Sequence, residues 1–293
     1  MTYNPNAIFI SPSSISAFKA CPKAYYYQQV YKHPKTGLKI QIINPKLALG
    51  SVVHDTLAQF LHTPGVVKKK DQLLNILSKY WNDIAGEKGG FSSQDVESQF
   101  KNRALKMLET FWTNQHFVST DPVKMPNFPK LDLGDDLILT GKLDWIEKEG
   151  EDKYHIIDFK TGEKEERNDS IQLPTYAVLA TSFLKSPRIR ASYWYLDKEK
   201  ELRPYNLPDL TDTLNELRKI GLIIKNSRLT NSFRCGSGFD SCWACRNFKA
   251  VVEEGKGELV SVDYSRKQEI YIISSDSSVS KKQNEDYKED LPF

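Results

Sequence analysis

The chain has 293 residues, 39% hydrophobic and 27% charged, with a net charge of +3. That length can bury a sizeable core, and the near-neutral balance neither demands nor excludes nucleic acid, since a local basic groove suffices. It contains no apolar run long enough to span a bilayer, and "MTYNPNAIFISPSS" lacks the basic and apolar segments of a signal peptide, so a cytoplasmic protein is the expectation.

In chain order, "SPSSISAFKACPKAYYYQQVYK" predicts a helix capped by Ser13 or Ser14, with Ile15, Phe18 and Tyr25 to Tyr27 on its apolar face. "LALGSVVHDTLAQFLHT" predicts a second helix, beginning near Gly50 and ending before Pro64. Residues 71–85 and 94–117 add two amphipathic helices, and 119–130, with three prolines, a loop. "DLILTGKLDWIEKEGEDKYHIIDFK" predicts two strands joined by a turn near Glu149-Gly150-Glu151. Residues 170–185 return to helix, "RIRASYWYLD" and "KELRPYNL" form a strand and its hairpin partner, and 209–227 is helical. A cysteine-rich loop, "RCGSGFDSCWACRNF", precedes one or two short strands in "GELVSVDYSRKQEIYIIS". Residues 274–290 have the composition of a disordered segment. Helices, then a hairpin, a helix and more strands, predict an α/β core with a mixed sheet and a helical N-terminal region.

The stretch "KYHIIDFKTGE" places an acid and a base at the end of an apolar strand. Strand alternation puts Ile156, Asp158 and Lys160 on one face. With the hairpin tip near residue 150, Asp144 stands opposite residue 156 and Asp158 is its diagonal neighbour, with Cα atoms about 7–8 Å apart. Two such carboxylates can lean onto one Mg²⁺. Lys160 just beyond them can orient a water or stabilise a charged transition state. A bare D-x-K is otherwise an ordinary ion pair on a solvated strand face. Gln172 and Tyr176 in "IQLPTYAVLA" are four residues apart on one helical face, with Pro174 in the first turn. "GSVVHDTL" puts His54 on a helix opened by a glycine.

Together these residues resemble the RecB-type branch of the PD-(D/E)XK nuclease superfamily, over residues 11–250. The matching elements are G-x-x-x-H at Gly50 to His54, G-x-x-D at Gly141 to Asp144, D-x-K-T-G at Asp158 to Gly162, and Q-x-x-x-Y at Gln172 to Tyr176. The resemblance implies a restriction-endonuclease-like fold. It implies that His54, Asp144, Asp158 and the carbonyl of Phe159 hold Mg²⁺ or Mn²⁺. Lys160 would be the catalytic lysine, and Gln172 and Tyr176 would position the site or the DNA strand.

Cys235, Cys242 and Cys245 form C-x6-C-x2-C, a metal-binding spacing, and Cys21 is the one cysteine left for a fourth ligand. "SISAFKACPKAYYYQQV" is similar to the N-terminal segment of iron–sulfur RecB-type nucleases, as in AddAB-type and CRISPR-associated exonucleases. That resemblance implies a [4Fe–4S] cluster on these four cysteines, pinning the C-terminal segment to the first helix. The order of the gaps departs from the family's, where C-x2-C comes first, and Zn²⁺ on four thiolates is the alternative. Lys68 to Lys70, Arg188, Arg190, Lys23, Lys32, Lys35 and Lys39 can line a single-strand groove, with Tyr25 to Tyr27 and Trp243 as stacking groups. As single residues they are equally a charged surface and core aromatics.

The chain's last residues, "NEDYKEDLPF", resemble the acidic C-terminal tip of bacterial single-stranded-DNA-binding proteins. The resemblance implies that Glu289, Asp290, Leu291, Pro292 and Phe293 bind proteins that read such tips, through an apolar anchor and a captured carboxylate. The expected organisation is a nuclease domain over 1–273 and an acidic tail over 274–293. The expected function is metal-dependent hydrolysis of DNA, by an exonuclease on single-stranded or frayed ends in recombination, repair or phage DNA metabolism. The rivals are a processing nuclease of CRISPR adaptation and a non-catalytic DNA-binding module.

Overall fold

A computed structural model describes residues 4, 6–61, 68–185, 188–237 and 242–273. The acidic tail, with Glu289 to Phe293, lies outside them. The elements run β1 (Ile8–Ile10), α1 (Pro12–Ala20), α2 (Pro22–Tyr25), a π-helical turn (Tyr26–Val30), β2 (Lys39–Ile42), α3 (Pro45–Leu61), α4 (Lys70–Ile84), α5 (Gln94–Thr113) and α6 (Gln115–Ser119). They continue as β3 (Lys130–Asp132), β4 (Leu137–Thr140), β5 (Trp145–Gly150), β6 (Lys153–Lys160), α7 (Gln172–Leu184), β7 (Arg188–Tyr195), β8 (Arg203–Tyr205), α8 (Leu210–Leu229), α9 (Arg246–Val252), β9 (Gly257–Asp263) and β10 (Gln268–Ile273). Among the described residues no helix is long and apolar enough to cross a membrane.

The chain divides into two compact units, one of residues 1–9 and 45–218, the other of 10–44 and 219–293. The first holds a sheet ordered β5-β6-β7-β8, in which β6 and β7 are parallel and the outer pairs antiparallel. Helix α7 makes the crossover that a parallel pair requires. On one face of β6, Phe159 joins Phe111, Phe117 and Trp194 in an aromatic cluster, with ring centroids 4.8 Å apart for Phe117 and Trp194. Each such pair adds about 0.5–1.5 kcal/mol beyond area burial. The other face of β6 carries Ile156, Asp158 and Lys160.

Three expectations need correction in this unit. The second helix begins at Pro45, five residues before Gly50, because proline's fixed φ suits a first turn. The helix expected over 94–117 breaks at Asn114, whose backbone is extended, into α5 and α6. The hairpin's first strand also breaks. β4 pairs with β3 in a separate sheet, and Asp144 lies in the link before β5. An irregularity between Lys148 and Gly150 resets the register so that Trp145 faces Ile157. Asp144, just before Trp145, therefore does not stand opposite Ile156, and its carboxylate accepts the Phe159 N–H at 2.9 Å.

The second unit holds a sheet ordered β2-β10-β9, with β2 parallel to β10 and β9 antiparallel to it. The long N-terminal helix expected from the sequence is two helices. Cys21 is extended at φ −166°, ψ 116°, since a residue before proline is pushed out of the helical region. Ser11, not Ser13 or Ser14, is the N-cap, because Pro12 occupies the first helical position. Ser14 completes the cap by accepting the Ser11 N–H at 2.8 Å. Tyr25 and Tyr27 are buried, Tyr27 stacking on Phe248 at 6.1 Å.

Candidate active site

Asp158 and Lys160 close β6 at its C-terminal end, and Gln172 opens α7 against them. Gln172 ties the pair together. Its Nε2 donates to Asp158 Oδ1 at 3.0 Å and to the Tyr176 hydroxyl at 3.2 Å, while its Oε1 accepts from Lys160 Nζ at 2.6 Å. Lys160 Nζ also lies 3.2 Å from Asp158 Oδ2 and 3.0 Å from Glu166 Oε1. Across from β6, Asp144 Oδ2 accepts the Phe159 N–H at 2.9 Å, and Asp144 Oδ1 lies 2.9 Å from His54 Nδ1. So each of the motif residues His54, Asp144, Asp158, Phe159, Lys160, Gln172 and Tyr176 bonds to another of them through side chain or backbone, apart from the Phe159 carbonyl.

Two glycines make the approach possible. A Cβ on Gly141 would sit 2.9 Å from the Tyr176 ring, and one on Gly50 would sit 3.1 Å from Thr161 Oγ1. The first lets α7 close on the link that carries Asp144. The second lets α3, which carries His54, close on the end of β6.

The electrostatics follow from burial and neighbours. Burial and the Asp144 charge push Asp158 up to about 7, outweighing Lys160 and His54. Burial acts the same way on Asp144, but the His54 charge and hydrogen bonds from His54 and Phe159 hold it below the usual carboxylate range. Burial works against charge on Lys160, and Asp158 with Glu166 more than offsets it, so the ammonium is retained. Asp158 Oδ2 is buried and receives no well-directed hydrogen bond, Lys160 being near it as an ion pair only.

Sequence reasoning misses Glu166. It lies in the acid-rich loop "TGEKEERNDSI" after the strand, where nothing in the spacing distinguishes it from its acidic neighbours. It also misses a second polar cluster, Glu147, Glu149 and His155. That cluster occupies the opposite face of the sheet, and its groups are engaged with Trp145, His116, Arg190 and Ser192.

A profile of the PD-(D/E)XK nuclease superfamily matches residues 10–246. The chain belongs to that superfamily. Relatives of the chain include one subunit of the ATP-dependent helicase/deoxyribonuclease of Clostridium perfringens, in strains SM101 and 13, each 27% identical over 197 residues. The matches cover 55% of the chain and only 16% of those relatives' length. The solved structure of SSO0001 covers 82% of the chain and 95% of its own, at 12% identity and a TM-score of 0.29, too low to carry an argument.

Superfamily members use divalent metal, and the residues here fit one. Asp158 offers an orphaned buried oxygen and ionises reluctantly without a cation, and Asp144 and His54 stand beside it. The three donors are not as compact as the other candidate centre. There Cys21, Cys235, Cys242 and Cys245, all in the second unit, bring their sulfurs within 4.8 Å of one another. Cys235 and Cys245 are 3.7 Å apart, so they form no disulfide. Tyr27, Ile40 and Phe248 wall the group. Burial pushes Cys21 up to about 11, whereas hydrogen bonds from Cys245, Ala244 and Cys235 outweigh burial at Cys242 and lower it.

Proposed function

We propose that the chain is a metal-dependent deoxyribonuclease acting as an exonuclease on single-stranded or frayed DNA. The observation that carries this reading is the bonded set of Asp158, Lys160 and Gln172 beside Asp144 and His54. His54, Asp144, Asp158 and the Phe159 carbonyl would hold Mg²⁺ or Mn²⁺. A bound ion would supply an activated water and neutralise the departing oxygen. Lys160 aims its ammonium at the water or the phosphate, and Gln172 keeps both Lys160 and Asp158 in place. Tyr176 orients Gln172. DNA as substrate rests on the superfamily and on the deoxyribonuclease named among the clostridial relatives.

The test is digestion of single-stranded DNA labelled at either end, with Mg²⁺, Mn²⁺ or EDTA. Metal-dependent loss of label is expected, abolished by Lys160→Ala while the protein stays folded. Cutting by Lys160→Ala at the wild-type rate would reject the site. Stepwise release from one end, not internal cuts, is expected of an exonuclease.

We propose further that the four cysteines hold a [4Fe–4S] cluster with a structural role. Zinc is the second reading, favoured by the sulfur spacing, since metal–sulfur bonds of about 2.3 Å put tetrahedral ligands about 3.8 Å apart. Four irons and a brown colour in anaerobically purified protein would establish the cluster, and one zinc per colourless chain would replace it. Residues 1–273 are proposed as the nuclease domain and 274–293 as a recruiting tail. Deleting Leu291 to Phe293 should spare cleavage of naked DNA but remove binding to proteins that read single-strand-binding tips.

A further inference from the structure

Lys160 Nζ has three partners: it donates to Glu166 Oε1 at 3.0 Å and Gln172 Oε1 at 2.6 Å, and Asp158 Oδ2 lies 3.2 Å away as an ion pair. A phosphate that comes onto Lys160 competes with these three for its charge. Two are built in. Asp158 is 2% exposed on β6, and Gln172 is 5% exposed on α7 and holds Asp158 with its other end. Glu166 differs. Its side chain is 18% exposed and comes from a loop without helix or strand, residues 161–171. It is also the one acceptor that shares both the negative charge of a phosphate and a route to solvent.

The loop is anchored independently of that carboxylate. The Glu166 N–H donates to the Tyr195 hydroxyl at 2.8 Å, Arg103 pairs with Glu163 at 3.1 Å, and Arg203 pairs with Glu165. Tyr205 donates to the Asn168 and Ser170 carbonyls. The Glu166 side chain can therefore swing away while its backbone stays.

We propose that the place taken by the Glu166 carboxylate on Lys160 is a phosphate subsite, and that Glu166 is an internal phosphate mimic which the DNA backbone displaces. This rests on the nuclease reading of the site. Glu166 then acts on substrate affinity, because every bound strand must first break its bond to Lys160. A neutral amide keeps the acceptor but loses the charge, and charge-assisted hydrogen bonds are roughly twice as strong as neutral ones.

The experiment measures steady-state cleavage and equilibrium binding of a fluorescent single-stranded oligonucleotide, the latter in EDTA. It compares wild type, Glu166→Gln, Lys160→Ala and the double variant. Glu166→Gln is expected to lower KM and Kd by about five- to tenfold. It should also steepen the dependence of log Kd on log salt by about 0.7, one phosphate's share for a single strand, since an internal counterion no longer substitutes for a released one. The tightening should vanish in the Lys160→Ala background. A fall in kcat with KM and Kd unchanged would make Glu166 a positioning residue for Lys160 and overturn the proposal. Tightening that persists without Lys160 would reduce it to general repulsion and overturn it too. Should Glu166→Gln fold poorly, Glu166→Asp, shorter by one methylene, is expected to show a smaller tightening of the same kind. Lys160-dependent tightening in a protein that cuts with neither metal would keep the subsite and reject the nuclease. Metal-dependent cutting lost in Lys160→Ala, with Kd unmoved by Glu166→Gln, would do the reverse.

Discussion

On the proposed reading, Asp158 is the residue on which metal, lysine and proton would compete. Its carboxyl is pushed up to about 7, so below that pH a divalent ion has to expel a proton to bind. Mn²⁺ affinity is therefore expected to fall as pH drops below about 7. His54, raised by the Asp144 charge, would lose a proton as well, so calorimetry in buffers of different ionisation enthalpy should find more than one proton released per ion at pH 6 and fewer at pH 8.5. Equal release at both would remove Asp158 from the ligand set. Glu147 shows the opposite balance. Burial raises it, but hydrogen bonds with His155, His116 and Trp145 prevail and hold it at about 2, against an ordinary 4.5. Because the folded value is the lower one, its stabilisation is full above about pH 4.5 and is lost as pH falls from there toward 2. Glu147→Gln is expected to flatten the acid limb of a stability–pH curve over that window without moving the limb above pH 6. A motif marked Asp158 in the sequence and nothing marked Glu147, and only packing gave the two opposite titrations.

At the scale of elements, β6 works by alternation. Phe159 buries in the aromatic cluster, and Asp158 and Lys160 on the other face are thereby held to a rigid strand. The close approach of α7 to the link before β5 depends on Gly141, where even a methyl group meets an aromatic ring at 2.9 Å. Gly141→Ala is expected to push Tyr176 and Gln172 off their positions, lowering kcat at least about tenfold while destabilising the fold by about 1–3 kcal/mol, the usual range for overpacking. Kinetics paired with a urea melt would test it. Loss of stability with full activity would show that α7 tolerates the shift. The motif spacing marked Gly141 and Tyr176 separately, in G-x-x-D and Q-x-x-x-Y, but neither their contact nor its reason. The short strands β1 and β2 leave no readable trace in the sequence, since three or four residues carry too little periodicity to register.

Over the whole molecule, the chain leaves the second unit after residue 44 and returns to it at 219, and the four cysteines join its two segments. A metal centre there would close a loop of roughly 200 residues and so restrain the unfolded chain strongly. Removing it by chelation, or by Cys21→Ala, is expected to lower stability by at least about 3 kcal/mol and Tm by about 6–12 °C. Calorimetry before and after chelation measures this, and an unchanged Tm would leave the cysteines as inert core thiols. In part Cys21 is presented by a local rule that was readable in "CPK": proline at 22 forces it out of the helix and turns the thiol to its partners.

Composition and periodicity by themselves set out an α/β protein, and four short motifs carried the resemblance to this superfamily and named the candidate side chains. These are local facts: strand alternation assigns Asp158 and Lys160 to one face, and helical spacing assigns Gln172 and Tyr176 to another. Only the tertiary structure decided the register that brings Asp144 to the Phe159 N–H, the closeness of the four sulfurs, and the capture of Lys160 by Glu166. Each of those depends on contacts between residues far apart in the chain, or on a loop whose path is chosen by its anchors, and neither leaves a period in the sequence.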